Sequence, residues 1–271
     1  MSNKVIICGY GWLGGYLANA LETRSLIATT RDKTKARTIQ ENGITPVLYT
    51  LGDDSAALAS HFHRATLVLN IPPGRKKPEL SEFTQQMKAL IDKAVKAQIT
   101  HIVFISTTSV YGDANNGVID ETSTPQPETA SAVAHVAIEQ HLLFHATHNH
   151  CKVNIVRLAG LTGPDRHPIN SLRGKTLQAG NKPVNLVHVH DVVAALTSMI
   201  AQVPTQKVFH LCSLSHPKRG EYYTHAAHQR NVEAPEFSDT ELPLHGKQID
   251  ASQSWQALGI TPEYAHPNQM I

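Results

Sequence analysis

The sequence predicts an α/β protein: a Rossmann-type doubly wound parallel sheet with a small, mostly C-terminal lobe. Three observations predict it. Short β-branched runs alternate with helical periodicity through the first 158 residues, the runs are apolar on both faces, and the first of them enters a glycine-rich turn. Right-handed crossovers convert such an alternation into a doubly wound sheet.

The strands and helices follow in order. VIIC (5–8) is the first strand, with a helix near 12–22; LIATTR (26–31) is the second, with a helix near 33–42. PVLYT (46–50), a short helix near 54–61 and TLVLN (66–70) come next. The helix near 79–97 carries Leu80, Phe83, Met87, Leu90, Ile91 and Val95 at helical spacing, an ordinary core stripe rather than a membrane-surface face. HIVFIS (101–106) precedes the longest loop, 107–127, placed where open α/β sheets hold ligands. ETASAVAHVAIEQHLLF (128–144) reads as an amphipathic helix reaching about 148, and VNIVRL (153–158) closes the alternating series. Beyond it, glycine- and proline-containing stretches are mixed with helices near 190–202 and 218–229 and a strand near 207–212. This gives a dinucleotide-binding domain over 1–160 and a substrate lobe over 161–271, interleaved with the last sheet strands.

Composition bounds the function. In 271 residues, 41% hydrophobic and 17% charged suit a packed globule, and a net charge of +2 gives no field that would make nucleic acid the main partner. Cys8, Cys151 and Cys212 are an odd set beside apolar runs, which fits buried thiols better than disulfides. The four apolar residues before the first glycine are too few for a signal peptide, and no apolar run approaches the length of a membrane span. The expectation is a cytoplasmic protein with a small-molecule substrate and no membrane partner.

The segment Cys8-Gly9-Tyr10-Gly11-Trp12-Leu13-Gly14-Gly15 lies between the first strand and its helix. A G-x-G-x-x-G there allows a sharp turn, lets backbone approach a pyrophosphate and aims a helix N-terminus at its charge. The second strand ends Thr29-Thr30-Arg31-Asp32. A carboxylate near that end suits the ribose 2′-hydroxyl of NAD, whereas arginine suits a 2′-phosphate. Arg31, with Lys33 and Lys35 close behind, favours NADP(H), with NAD as the alternative; Asp32 reads as the N-cap of the next helix. Asn70 and Pro72, after the fourth strand, border the same site, in a loop that proline makes rigid.

Several segments together resemble the extended short-chain dehydrogenase/reductases of the sugar-nucleotide epimerase/dehydratase type: FISTTSVYGD (104–113), RLAGLTGPDRHP (157–168), LVHVHDVVAAL (186–196) and GKQIDASQSWQALGI (246–260). The resemblance spans nearly the whole chain, fits an atypical subgroup best, and implies pairing as a homodimer through the helices near 79–97 and 128–148. It also exposes two departures. Cys8 stands where the family's first loop glycine does, and the family's Tyr-x-x-x-Lys is absent: counting back from Glu139 puts Ser131 at the tyrosine position and His135 at the lysine position. In the family the tyrosine exchanges a proton with substrate while hydride moves to or from nicotinamide. A serine hydroxyl cannot replace a phenol of pKa about 10 near neutral pH.

Three residues are left as candidates for the chemistry. Thr107 aligns with the family's Ser/Thr that hydrogen-bonds the reacting oxygen, His135 offers an imidazole that titrates near neutrality, and Tyr111 offers a phenol. Arg166 is a candidate clamp for a substrate phosphate or carboxylate, whereas Arg157 reads as having a structural partner. His145, His148, His150 and Cys151 invite a zinc reading, but their spacing fits no closed structural site. Asp191 reads as a helix N-cap after His188 and His190. Two functions follow: an NADP(H)-binding oxidoreductase or epimerase with a modified active site, or a non-catalytic dinucleotide sensor.

Overall fold

The chain is described by a computed structural model over residues 4–21, 25–74, 80–149 and 151–271. The first half is the expected alternation: β1 (Lys4–Cys8), α1 (Trp12–Ala20), β2 (Ser25–Thr30), α2 (Lys33–Glu41), β3 (Thr45–Leu48), α3 (Ala56–Ala59), β4 (Thr66–Leu69), α4 (Ser81–Lys96) and β5 (His101–Thr107). A 3₁₀ turn (Thr108–Tyr111), β6 (Gly117–Ile119), α5 (Ala130–His148) and β7 (Lys152–Leu158) follow. Then come β8 (Gly160–Thr162), α6 (Ile169–Leu172), β9 (Thr176–Leu177), β10 (Leu186–His188), α7 (Val189–Gln202), β11 (Val208–Leu211) and α8 (Arg219–Gln229), with β12 (Glu236–Phe237), β13 (Lys247–Ile249) and α9 (Ser252–Leu258) last.

Seven strands form one parallel sheet in the order β11-β7-β5-β4-β1-β2-β3, a Rossmann-like α/β fold. The chain reverses its winding between β1 and β4, so the crevice beyond their carboxyl ends is the topological switch point where such sheets bind ligands. The series does not end with β7: the run at 208–211 returns from the lobe and joins the sheet as an edge strand beside β7. Its apolar Phe209 and Leu211 had no partner legible in the sequence.

Both faces of the sheet are covered, as the runs require. Val5 and Ile7 of β1 enter one core with Leu13 and Leu17 of α1 and Val192, Leu196 and Met199 of α7. Ile6 and Cys8, one residue out of phase, enter the other with Met87, Leu90 and Ile91 of α4 and Ile138 and Leu142 of α5. Strand alternation delivers successive side chains to opposite layers. The lobe has its own small core around Ile169, Leu186, Tyr222, Tyr223 and Ala226, and two-stranded pairs β10–β8, β12–β9 and β13–β6 stitch it together. All three cysteines are free and buried, and burial pushes each thiol up to about 12. Among the described residues no helix is long and apolar enough to cross a membrane.

Helix α5 departs from the simple amphipathic pattern. It buries His135, Glu139 and His145 while Val133 and Phe144 stay exposed. The reason lies across the sheet. Arg157, 5% exposed on β7, donates to both carboxylate oxygens of Glu139 at 2.6–3.2 Å, and Ser106 of β5 donates to Oε1 at 2.5 Å. A buried charge is tolerable only when paired and hydrogen-bonded in this way. Asp191 does not cap α7, as its sequence neighbourhood suggests. His188 is the N-cap, its Nδ1 accepting from the amide of His190, and Asp191, one turn in, accepts from the amides of Glu263 and Tyr264. A short carboxylate facing a returning chain captures that chain's amides; only the fold reveals that the chain returns there.

Candidate active site

The site is built first by the turn after β1. Gly9 has φ +104°, and a Cβ there would lie 2.4 Å from the carbonyl oxygen of Asn70. Its amide donates to Thr29 Oγ1 at 2.8 Å, and the Asn70 side-chain amide donates to its carbonyl at 3.1 Å. Asn70 therefore bolts the loop after β4 to the loop after β1 across the switch point. Gly14 lies against the Gly9 carbonyl at a distance only glycine tolerates easily, 3.0 Å from a built Cβ. Gly11 differs from both. It is exposed, its backbone is extended at φ −92°, and a Cβ on it would meet nothing closer than 4.0 Å. Nothing inside the protein requires glycine there.

Gly11 is also the N-cap of α1, with no side-chain cap hydrogen bond. The first intrahelical bond is Gly15 N–H to Gly11 carbonyl, so helix geometry leaves the amides of Trp12, Leu13 and Gly14 without a partner within the helix. Leu13 itself is buried in the core, so the amide, not the side chain, is what it presents. An extended backbone, three amides without an intrahelical partner and the positive end of α1 make a cradle that could hold a diphosphate. Cys8 does not spoil it, because its side chain points into the sheet beside Thr29.

Around this cradle the predicted residues take different parts. Thr30 is buried and its hydroxyl accepts from the Asp32 amide; Asp32 caps α2 through Thr34 N–H and Lys35 N–H, leaving exposed Arg31 free of that cap. Lys35 lies 5.4 Å over the Tyr10 ring. Two bulky groups of one charge sign thus border the end of β2, with its nearest carboxylate already engaged. Pro72 is exposed in the loop after Asn70. Arg166 lies over the glycine turn: its guanidinium is 5.2 Å from the centre of the Trp12 ring, while Trp12 Nε1 donates to Asp165 at 3.0 and 3.1 Å. The 163–166 loop packs on Trp12, so Arg166 belongs with the glycine turn.

At the end of β5, Thr107 is half-buried and caps the 3₁₀ turn, accepting from Ser109 N–H and donating to Ser109 Oγ, both at 3.1 Å. Ser131, half-buried, occupies the first turn of α5, and His135 lies one turn on, 7% exposed. His135 donates from Nδ1 to the Ser131 carbonyl at 2.7 Å and stacks on Phe104. Burial holds its pKa below the ordinary value, against the pull of Ser131 and Glu139, so near neutral pH it is an acceptor at Nε2 rather than an acid. Tyr111 leaves the list of proton donors. It is 0% exposed, and its hydroxyl meets Arg157 Nη1 at 2.5 Å, His210 Nε2 at 2.6 Å and the Asp120 carbonyl at 3.2 Å. A buried phenol whose proton faces His210 Nε2 and the Asp120 carbonyl and whose oxygen accepts from Arg157, pushed up to about 12 by burial, is poorly placed to exchange a proton with substrate.

The cleft beside the 3₁₀ turn has a volume of about 390 Å³ and is bounded by Thr108, Ser109, Lys182, Arg219, Tyr223 and Lys247. Lys247 contacts the Gly112 carbonyl and Asp113, Lys182 lies 3.5 Å from Asp113, and Arg219 stacks on Phe237. The hydrogen bond from Lys247 leads the effects that hold the Asp113 carboxyl below the usual range. Lys182 and Lys247 share the Asp113 carboxylate and Arg219 adds a third cation beside them, so the cleft is positive. Sequence reasoning missed these residues. The cations come from three lobe segments 28–65 positions apart, and no local pattern announces that they converge.

Of the histidine-rich tract, His148 stacks on Phe144, Cys151 is a buried thiol, and His150 lies outside the described residues.

The sequence profile described as the NAD dependent epimerase/dehydratase family matches residues 5–212. Protein YeeZ of Escherichia coli (strain K12) is 34% identical over 278 residues, covering 99% of this chain and 98% of that protein. Among solved structures, MoeE5 in complex with UDP-glucose and NAD superposes with a TM-score of 0.79 at 21% identity, over 98% of this chain and 96% of that one. A UDP-glucose 4-epimerase from Thermotoga maritima gives 0.78 at 18% identity, over 96% and 94%.

Proposed function

The chain belongs to the NAD dependent epimerase/dehydratase family, and on that premise we propose that it binds a nicotinamide dinucleotide and acts on a phosphate-bearing, sugar-nucleotide-like substrate with a rebuilt proton relay. The observation that carries the reading is Gly11. Packing does not require glycine at that position, whereas a diphosphate approaching the Trp12, Leu13 and Gly14 amides does. Gly9 and Asn70 hold the turn in shape for it. Arg31 at the end of β2, with Lys35 and without a free carboxylate, favours a 2′-phosphate and so NADP(H) over NAD. When bound, the nicotinamide supplies hydride transfer.

The chain's own residues supply the rest. Lys182, Arg219 and Lys247 attract and hold substrate anions. Thr107 rotates its hydroxyl from Ser109 toward the reacting oxygen. His135 accepts a proton at Nε2, its ring fixed by Ser131 and Phe104. A homodimer through α4 and α5 accompanies this reading, supported by exposed Val133 and Phe144.

A second reading, a dinucleotide sensor without turnover, is favoured by the replacement of the family's proton donor by Ser131 together with the burial of Tyr111. Titration calorimetry and thermal melts with NADPH and NADH test the shared premise: a ligand at 100 times its Kd adds about 2.7 kcal/mol, and no heat and no stabilisation from either would refute both readings. Turnover of NADPH with sugar nucleotides or small carbonyls, lost in Thr107→Ala and His135→Ala, separates the enzyme from the sensor.

A further inference from the structure

Away from the cleft, on the outer side of α4 and α5, three side chains converge on one point. His141 and His145, one turn apart on α5, direct Nε2 atoms at the same Oδ1 of Asp92 on α4, each at 2.7 Å, and the two nitrogens are 3.3 Å apart. Histidines at i and i+4 lie on one helix face, the spacing by which a helix presents two imidazoles to a metal. In this chain the two rings stand edge to face at 90°. We propose that Asp92, His141 and His145 form a binding site for one divalent transition-metal ion of the zinc class, tying α4 to α5.

The distances argue for it. Ligand atoms about 2.0–2.1 Å from a tetrahedral zinc lie about 3.3 Å from one another, which is the separation of the two Nε2 atoms. The carboxylate oxygen is about half an ångström closer than that, and Asp92, with its side chain 54% exposed, is free to rotate outward. Its exposure also leaves the fourth position to water. The donor set of two imidazoles and a carboxylate suits zinc better than magnesium or calcium, which take oxygen. His145 is the more buried ring, and Asn149 meets its Nδ1 at 2.9 Å. With Nε2 on a metal, Nδ1 carries the proton, and the Asn149 amide turned by half a revolution accepts it. Metal-bound histidines are commonly oriented by such a partner on the other ring nitrogen. Phe144 packs against the same ring and shields it on one side.

Neither the glycine turn nor the cationic cleft contributes to the site, so its failure would leave the dinucleotide reading standing. The test uses the untagged full chain, stripped with chelator and titrated with zinc by calorimetry, with cobalt(II) as a spectroscopic substitute. The expected result is one ion per chain and a visible cobalt band of low symmetry. Both are lost in His141→Ala, His145→Ala and the isosteric Asp92→Asn, weakened on the order of 10-fold in Asn149→Ala, and unchanged in His148→Ala. Melting of the metal-free variants shows whether they remain folded, and Asp92→Asn preserves shape where an alanine fails. Binding that survives in a folded His141→Ala/His145→Ala chain, or a wild-type chain that takes up no stoichiometric zinc, overturns the proposal.

Discussion

Adding one methyl group at Gly9 and at Gly11 is expected to have opposite consequences. At Gly9 it meets a backbone already at φ +104° and lies 2.4 Å from the Asn70 carbonyl oxygen. Strained backbone costs about 1–3 kcal/mol and forced overlap another 1–3 kcal/mol. At about 2–4 °C per kcal/mol, Gly9→Ala should melt on the order of 10 °C below wild type without any ligand. At Gly11 the backbone is extended and the nearest atom 4.0 Å away. Alanine is a poorer N-cap than glycine by a few tenths of a kcal/mol or more, but it reduces the entropy of the unfolded chain by about 0.4–1 kcal/mol. The two effects nearly cancel, so ligand-free Gly11→Ala should melt within about 2 °C of wild type. What it should lose is the ligand. With dinucleotide at 100 times Kd, wild type gains about 2.7 kcal/mol, and the variant at the same concentration should gain nothing, because the new methyl group occupies the diphosphate's approach. Scanning calorimetry with and without NADPH reads both quantities. A Gly11→Ala chain stabilised as much as wild type, or destabilised as much as Gly9→Ala when ligand-free, would refute the assignment of the turn.

Other outcomes follow from the same geometry. Glu139→Ala strands Arg157, 5% exposed, without its carboxylate and should cost about 3–5 kcal/mol in urea unfolding. The double change Glu139→Leu/Arg157→Met should cost less than that single one, because no bare charge remains buried; a larger loss would contradict this account. His101 is 1% exposed, its Nε2 paired with Asn154 Oδ1 at 2.7 Å and its Nδ1 without a partner, and burial lowers its pKa from 6.5 to about 4. The unfolded chain binds that proton first, so stability is full above pH 6.5 and falls by about 3 kcal/mol as pH drops to about 4. His101→Gln should flatten that slope by about one proton in unfolding measured from pH 7 to 4.5. Arg31→Ala should weaken NADPH about 10-fold or more, the worth of a charge-assisted hydrogen bond, and leave NADH nearly unchanged; equal weakening of both would assign Arg31 to solvent.

The sequence by itself determined six of the sheet's seven strands and its first turn. Strand alternation and helix periodicity are local, and so is the requirement that a strand entering a helix within a few residues use glycine. That is why β1 to β5 and β7, the Asp32 cap and the turn at Gly9–Gly14 were readable from one chain, whereas β6, only three residues long inside the 107–127 loop, was not. The absence of a phenol at Ser131 was legible in the same way, by counting along a helix from Glu139. What the tertiary structure alone decided are partnerships between positions far apart in the chain. Arg157 with Glu139 and Tyr111, Asn70 with Gly9, Asp191 with the returning 263–264 segment, three cations around one cleft, and Asp92 with His141 and His145 are each set by which elements the fold makes neighbours. The sequence records which groups need partners. The choice of partner falls to the crossover connections and the layer packing, because hydrogen bonds and ion pairs act over a few ångströms and are blind to distance along the chain.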